Sequence, residues 1–171
     1  MNNNDKFAYP TPEDGGKATR RVSVPYFWRG GTYGAERFWN EPMNWYNRFV
    51  PGWFDVVVIS GEYAHDGYFP IIEEFANDIA QLIIEPGGKL TVGMLGKLCV
   101  DGLGKKGLGI LNEGDLVIDG ELTVHRTLFA SVRNKGLIFN NGSFAIDKNE
   151  DNGIIHSSSG RFENYGEFLF L

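Results

Sequence analysis

The chain has 171 residues, with 16 Lys and Arg against 22 Asp and Glu, and a formal net charge of −6. That length suits one domain with a continuous core, and no cluster of Lys and Arg forms a stripe for nucleic acid. One cysteine, Cys99, excludes an internal disulfide, and no apolar run reaches the ~18 residues of a membrane-spanning helix.

Residues 1–24 are polar, with Pro10, Pro12, Gly15, Gly16 and the basic trio Lys17, Arg20 and Arg21. They read as an arm: either a flexible leader, or a segment ordered by lying along the rest of the fold or a neighbouring chain. The opening Met1-Asn2-Asn3-Asn4-Asp5-Lys6 lacks the apolar core of a signal peptide. Either export by that route does not apply, or this is a mature part behind a new Met.

Residues 25–59 differ in kind. Trp28, Trp39, Trp45 and Trp53 fall in one aromatic-rich window, followed by the apolar run Val56-Val57-Val58-Ile59, which reads as a buried strand. The aromatics suit a carbohydrate-stacking platform or a hydrophobic cap. The cap is the preferred reading, because a fold of stacked coils exposes a raw apolar end unless an atypical unit covers it. Over 60–81, Ile72, Phe75, Ile79 and Leu82 also fit a helical stripe that Pro70 could start. A strand over 82–84 and a loop or single helical turn over 73–78 is expected there.

From Gly88 onward a repeat takes over. The unit Gly-polar-apolar-x-apolar begins at Gly88, Gly96, Gly114, Gly120, Gly142 and Gly166, with looser copies at Gly136 and Gly160. These glycines pair as 88/96, 114/120, 136/142 and 160/166, so one coil takes a little over twenty residues. Short strands alternate side chains in and out, and the inward apolar pairs would stack coil on coil. Gly, and secondarily Asn, is expected to supply left-handed corners. The recurring Asn112, Asn140 and Asn164 suggest an asparagine ladder. The expected fold is all-β: a right-handed parallel β-helix of about four to five coils, with residues 25–171 as one solenoid domain behind the 1–24 arm. Within it, 25–59 is the aromatic cap and first strand, and 82–171 the repeated coils.

The outward positions carry few groups that could converge for chemistry. Val117, Ala145 and Leu169 are expected to form one apolar strip that a loop such as Leu128-Phe129, the arm or another chain covers. Asp115 and Glu167 fall in one outward column with Lys89 and Ser143, too mixed for a carboxylate site. Cys99 reads as a strand-filling thiol. His65, His125 and His156 are scattered and read as surface or turn residues, which leaves a triad unsupported. Asp147, Asn149 and Asp151 alternate like calcium-loop ligands, but the Gly is one place late and Ser158 replaces the closing Glu. A polar loop without metal is the preferred reading, and no cofactor is expected. The apolar ending Glu167-Phe168-Leu169-Phe170-Leu171 presents a bare coil end with unpaired edges. Continuation of the chain, or stacking on a partner through Leu169, Phe170 and Leu171, is the expectation.

One resemblance spans roughly 27–124. Trp28-x-Gly30, Trp39, Asn44-Trp45, Pro51, Asp55-Val56-Val57-Val58-Ile59, Pro70-x-Ile72 and Leu82-x-Ile84-x-x-Gly87-x-x-Leu90-Thr91-Val92 occur in order. The series resembles the β-solenoid modules of large secreted and surface proteins of Bacteroidetes. It implies an extracellular or cell-surface structural role and carries over no catalytic residue. The expected function is a non-enzymatic structural or adhesive module of a surface or secreted assembly, with a protein partner or self-stacking. A carbohydrate-active or glycan-binding β-helix, polysaccharide-lyase-like or glycosidase-like, is one alternative. A phage or injection-system fibre component is another.

Overall fold

The computed structural model describes residues 25–102, 107–127, 130–146, 153–156 and 159–171. The expected arm, the candidate calcium ligands Asp147, Asn149 and Asp151, and the Leu128-Phe129 cover lie outside them. The strands in chain order are β1 (Pro25–Phe27), β2 (Val56–Ile59), β3 (Ile71–Ile72), β4 (Gln81–Ile84), β5 (Lys89–Val92), β6 (Lys97–Val100), β7 (Leu108–Asn112) and β8 (Asp115–Ile118). After them come β9 (Glu121–Val124), β10 (Ala130–Asn134), β11 (Leu137–Asn140), β12 (Ser143–Ile146), β13 (Ile154–His156), β14 (Arg161–Asn164) and β15 (Glu167–Phe170).

The strands pair in parallel into three sheets, which are the three sides of a solenoid of about four turns. The first side runs β1-β2-β4-β7-β10-β13, the second β3-β5-β8-β11-β14 and the third β6-β9-β12-β15. Each full coil, such as β7-β8-β9, takes one strand from each side. The paired glycines therefore open the second and third strands of a coil. The first strand has no glycine signature, so the glycine repeat alone does not reveal it.

Register makes every inward position a column. On the first side Val57, Leu82, Ile110, Val132 and Ile154 align. On the second, Leu90, Leu116, Ile138 and Phe162 do so, and on the third Leu98, Leu122, Phe144 and Phe168. One core cluster joins these columns from Trp28 to Ile146. Burying each such Leu, Ile, Val or Phe contributes roughly 1.5–3 kcal/mol against the chain entropy.

The glycine corners act otherwise than expected. Of the glycines that open repeat units, none whose backbone is described at Gly88, Gly96, Gly114, Gly120, Gly136, Gly142 or Gly166 has a positive φ. A Cβ on Gly114 would lie 2.2 Å from the Gly88 carbonyl oxygen, and one on Gly142 would lie 2.1 Å from that of Gly120. Side chains are excluded there because one coil's backbone rests on the next. Asn112, Asn140 and Asn164 are likewise absent from the positive-φ non-glycine residues among those described, which are Arg48, Asp66 and Arg126.

Over 60–81 the chain makes no α-helix. A 3-10 turn spans His65–Gly67, β3 follows Pro70, and Phe75 and Ile79 bridge in parallel to Lys97 and Val100. The helical stripe is a run of short contacts with the coil below.

At the N-terminal end Trp28, Trp39 and Trp45 are buried and meet edge to face, at centroid distances of 5.0 Å (Trp28–Trp45) and 4.8 Å (Trp39–Trp45). The indole N–H groups of Trp28 and Trp45 donate to the carbonyls of Tyr68 and Trp39. Asn44, also buried, holds the loop around them: its amide donates to the carbonyls of Ala35 and Phe38, and its oxygen accepts from the Thr32 N–H. Trp53 departs from the expected cap. It is 53% exposed and belongs to a flank of the solenoid.

Substitution of Gly120 separates the two glycine roles. A Cβ there would sit 2.2 and 2.3 Å from the backbone oxygens of Gly93 and Gly96, whereas Gly34 (φ 77°) has open space around it. Gly120→Ala is expected to cost about 3 kcal/mol or more by overpacking, and Gly34→Ala only about 1–2 kcal/mol of backbone strain. Denaturant unfolding of the two variants measures the difference, and equal costs would contradict the close-contact role.

Candidate functional site

Two features are built into the coil stack: asparagines at its corners, and a last coil with an open edge. On the first side the column two residues after the inward apolar one reads Ile59, Ile84, Asn112, Asn134 and His156. On the second side it reads Val92, Ile118, Asn140 and Asn164. The Asn112 amide donates to Asn134 Oδ1 at 2.8 Å and to the Leu137 carbonyl at 2.9 Å. The Asn134 amide donates to the Arg161 carbonyl. The Asn140 amide repeats the pattern with Asn164 Oδ1 at 2.6 Å and the Glu167 carbonyl.

The expected single ladder is therefore two. Asn112 belongs to the corner between the first and second sides, and Asn140 with Asn164 to the corner between the second and third. Asn134, the partner of Asn112, was missed although Gly136 follows it at the spacing by which Gly114 follows Asn112, because the unit that Gly136 opens is one of the looser copies. Each ladder begins under an isoleucine, so Asn112 Oδ1 and Asn140 Oδ1 are buried without a protein partner. Its last described rung on the second side, Asn164, turns back to the Gly166 carbonyl of its own coil.

Three strands per coil also redistribute the outward residues. Val117 lies on the second side between Thr91 and Phe139. Ala145 and Leu169 align with Cys99 and Thr123 on the third. The expected common strip of Val117, Ala145 and Leu169 is corrected to two separate faces. Asp115 and Glu167 part in the same way. Asp115 aligns with Lys89, Leu137 and Arg161, and Glu167 with Lys97, Glu121 and Ser143. Lys97 and Glu121 pair at 2.7 Å. Of the histidines, His65 pairs with Asp66 at 3.1 Å, and His125 and His156 lie on other coils. Among the described residues no group of three His, Cys, Asp or Glu is arranged to hold a metal.

Among the described residues no strand pairs with the outer edge of the last coil, β13-β14-β15. Phe144, Phe162 and Phe168 pack edge to face or tilted at 5.2–6.2 Å, and Phe168 meets Phe170 at 5.0 Å. Leu169, Phe170 and Leu171 remain 38%, 55% and 56% exposed. Tyr165 leans on Phe139 across the second side.

No protein-family model matches the chain, and no curated protein or solved structure does so either. Function must then be argued from these surfaces.

A third surface surrounds Trp53. The turn Gly52-Trp53-Phe54-Asp55 is closed by the Asp55 N–H on the Gly52 carbonyl and by the Gly52 N–H on Asp55 Oδ2 at 2.8 Å. It presents Trp53 and Phe54 nearly parallel, 12° apart with centroids 6.0 Å apart. The Trp53 indole N–H donates to buried Asp101, which also accepts from Arg126, and the Arg126 guanidinium lies over the Trp53 ring. That hydrogen bond raises the Arg126 pKa. A cleft of about 420 Å³ opens elsewhere, between the aromatic cap and the first coil, lined by Phe38, Asn40, Glu41, Ile72, Glu73 and Glu74. Among the described residues no helix is long and apolar enough to cross a membrane.

Burial pushes the Asp55 carboxyl above its usual range, more than the Gly52 N–H pulls it down. Its folded-state pKa then exceeds the unfolded one, so the protonated form's contribution is complete below the ordinary carboxylate range. It is lost as pH rises through the folded value. Asp55→Asn keeps an acceptor oxygen and removes that loss. The melting temperature of the variant relative to the parent is expected to climb from acid to neutral pH, and a flat difference would contradict it.

The ladders carry a second test. Asn134→Ala leaves the Arg161 carbonyl without its side-chain donor and the Asn112 amide one acceptor short, at about 2–3 kcal/mol. Asn164→Ala leaves the Asn140 amide one acceptor short as well but sits at an exposed corner and strands no carbonyl of another coil, so it should cost only about 1 kcal/mol. Urea unfolding of both variants decides it, and the reverse order would sink the ladder as a source of stability.

Proposed function

We propose that the chain is a non-enzymatic structural module of a surface or secreted assembly, a rigid rod that makes contact through the open end of its last coil. The observation that supports this reading best is the inequality of the two ends. Three buried, packed tryptophans close one end, while at the last described coil Leu169, Phe170 and Leu171 are exposed beside strand edges that no described strand pairs, a surface that a further coil or a partner would cover. Natural proteins usually block such edges, and a bare apolar surface marks a place of contact. Extracellular or cell-surface placement, in the manner of the Bacteroidetes modules that the tryptophan series resembles, belongs to the proposal. An adhesive use would draw on the same rigid sides.

Glycan contact is a second reading, favoured by the half-exposed pair Trp53 and Phe54 on their Asp55-pinned turn. Aromatic faces of this kind offer apolar area at low entropic cost.

A panel of neutral and acidic polysaccharides tests both. The expected result is no new reducing ends and no unsaturated sugar product, and turnover of any member would overturn the non-enzymatic reading. Binding without turnover that changes tryptophan fluorescence in the parent, but not in Trp53→Ala, would move the contact from the coil end to the Trp53 turn.

A further inference from the structure

We infer that the cleft between the aromatic cap and the first coil binds a neutral saccharide, whose hydroxyl groups meet both the indole N–H of Trp39 and the carboxylates on the rim. The site is separate from the last coil, so it stands whatever that end of the rod contacts.

The cleft exists because two paired segments part at a corner. On the second side Phe38 lies over Ile71 as a parallel bridge, with the Trp39 N–H on the Ile71 carbonyl and the Ile71 N–H on that of Arg37. Beyond the corner the upper segment enters the 3-10 turn Pro42–Asn44 of the cap. The lower one runs on to the third side, where Phe75 bridges to Lys97. Asn40 ties the two together, its amide donating to Glu74 Oε1 at 2.9 Å and to the Phe75 carbonyl at 3.2 Å. The space of about 420 Å³ left between them falls in the range of small-ligand pockets, roughly 300–1,000 Å³.

Its walls carry complementary unmet needs. Trp39 and Ile72, both buried, form the base, and Phe38, Glu73 and Glu74 are exposed at the rim. The Trp39 indole N–H is buried without an acceptor, although those of Trp28 and Trp45 each have one. The ring otherwise packs on Trp45 within the core, so the cleft is the side from which an acceptor can come. A buried donor left unmet costs about 1–3 kcal/mol, which a ligand oxygen would offset. Glu73 has the opposite need. Its carboxylate lies over Gly93 of the next coil, where a Cβ would be 2.9 Å from Oε2, and no hydrogen bond or ion pair with a described residue engages it. Glu41 and Glu74 each keep one oxygen beyond those that accept from the Met43 N–H and from Asn40.

Charge and shape choose among ligands. No Lys, Arg or His lines the cleft, so its three carboxylates repel an anion. A bare cation would meet the carboxylates and leave the indole donor unmet. A hydroxyl group donates and accepts at once. A sugar ring carries several of them around an apolar C–H face, and the half-exposed Phe38 ring offers that face a flat partner. Uronic or sulfated sugars add the charge that the rim rejects. Neutral sugars are the class that meets every wall.

The test is an NMR titration of the whole isotope-labelled chain, following the assigned indole N–H signals of its four tryptophans. The probes are cellobiose, lactose, mannobiose and diacetylchitobiose, with digalacturonate as the charged control. At least one neutral disaccharide is expected to bind with a Kd of about 1 mM or tighter and to shift the Trp39 indole signal. Digalacturonate should bind roughly tenfold more weakly than that sugar, through repulsion at the rim. Glu73→Gln replaces a charge-assisted hydrogen bond by a neutral one and should weaken the neutral sugar roughly fivefold or more. Phe38→Ala should weaken it as well, whereas Trp53→Ala, on another surface, should leave it unchanged. Both rim residues are exposed, so neither change threatens the fold. Absence of binding by every neutral probe at about 10 mM overturns the proposal. So does binding that shifts the Trp53 signal and not that of Trp39, that Glu73→Gln and Phe38→Ala leave intact, or that favours digalacturonate.

Discussion

Backbone against backbone at the glycine corners is the contact on which the stack depends. At Gly96, Gly114, Gly120, Gly136, Gly142 and Gly166 a Cβ would fall 2.0–2.2 Å from a carbonyl oxygen of the preceding coil. No side chain fits such a gap, so each corner can be made only by glycine, whatever its φ. Because the corners touch, the strands between them are held at pairing distance and in fixed register. The columns of Leu, Ile, Val and Phe then follow without further instruction. So does the alignment of Lys97 with Glu121, which pair across two coils on an outer face.

Fixed register is also what makes the asparagines useful. A buried amide costs free energy unless its donors and acceptor are met. Here the coil below supplies the donors' partners: Asn112 and Asn134 reach the carbonyls of Leu137 and Arg161 by the same geometry, and Asn140 reaches that of Glu167. The ladders have a direction, because the amides of Asn112, Asn134 and Asn140 all donate toward the C-terminal coil. Their first oxygens, under Ile84 and Ile118, are left over. That residue of cost fixes where each ladder starts, since an Asn one coil out of step would strand its donors as well.

The sequence showed the architecture more readily than its faces. Glycine followed by an inward pair, as in Gly120-Glu121-Leu122-Thr123-Val124, is a strong local signal, and it marked the second and third strands of every coil from β4 onward. The first strands of the later coils, such as Leu108–Asn112 and Ala130–Asn134, lack the Gly-polar-apolar-x-apolar unit and went unseen. With one side missing, units from two faces looked like one column, and Val117 was joined to Ala145 and Leu169. The buried triad Trp28, Trp39 and Trp45 was legible from local aromatic density and the need to cover an end. Trp53 was not, because its hydrogen-bond partner Asp101 lies 48 residues on, at a corner that only the coil register brings close. Glycine roles were misjudged for a related reason. A positive φ is a property of one residue, whereas close approach belongs to two coils and has no local trace.

The same asymmetry bears on function. A repeat that determines its own register can be extended or stopped at any coil, so what distinguishes one such chain from another is how its ends and corners are finished. At the N-terminal end the finish is elaborate: Asn44 satisfies three loop groups while the indoles of Trp28 and Trp45 are tied to backbone carbonyls. At the last coil the ring cluster of Phe162, Phe168 and Phe170 is only part-covered, and Asn164 turns its donor back on its own corner. Aromatic rings at that position enlarge the apolar area on offer, whereas the preceding coils use Leu, Val and Ile at most of the same columns. Chemistry at a catalytic centre needs groups converged in space, but the outward columns here alternate Lys, Asp, Leu and Arg on one side and Lys, Glu, Ser and Glu on the other. Such columns favour pairing along the stack over convergence on a substrate.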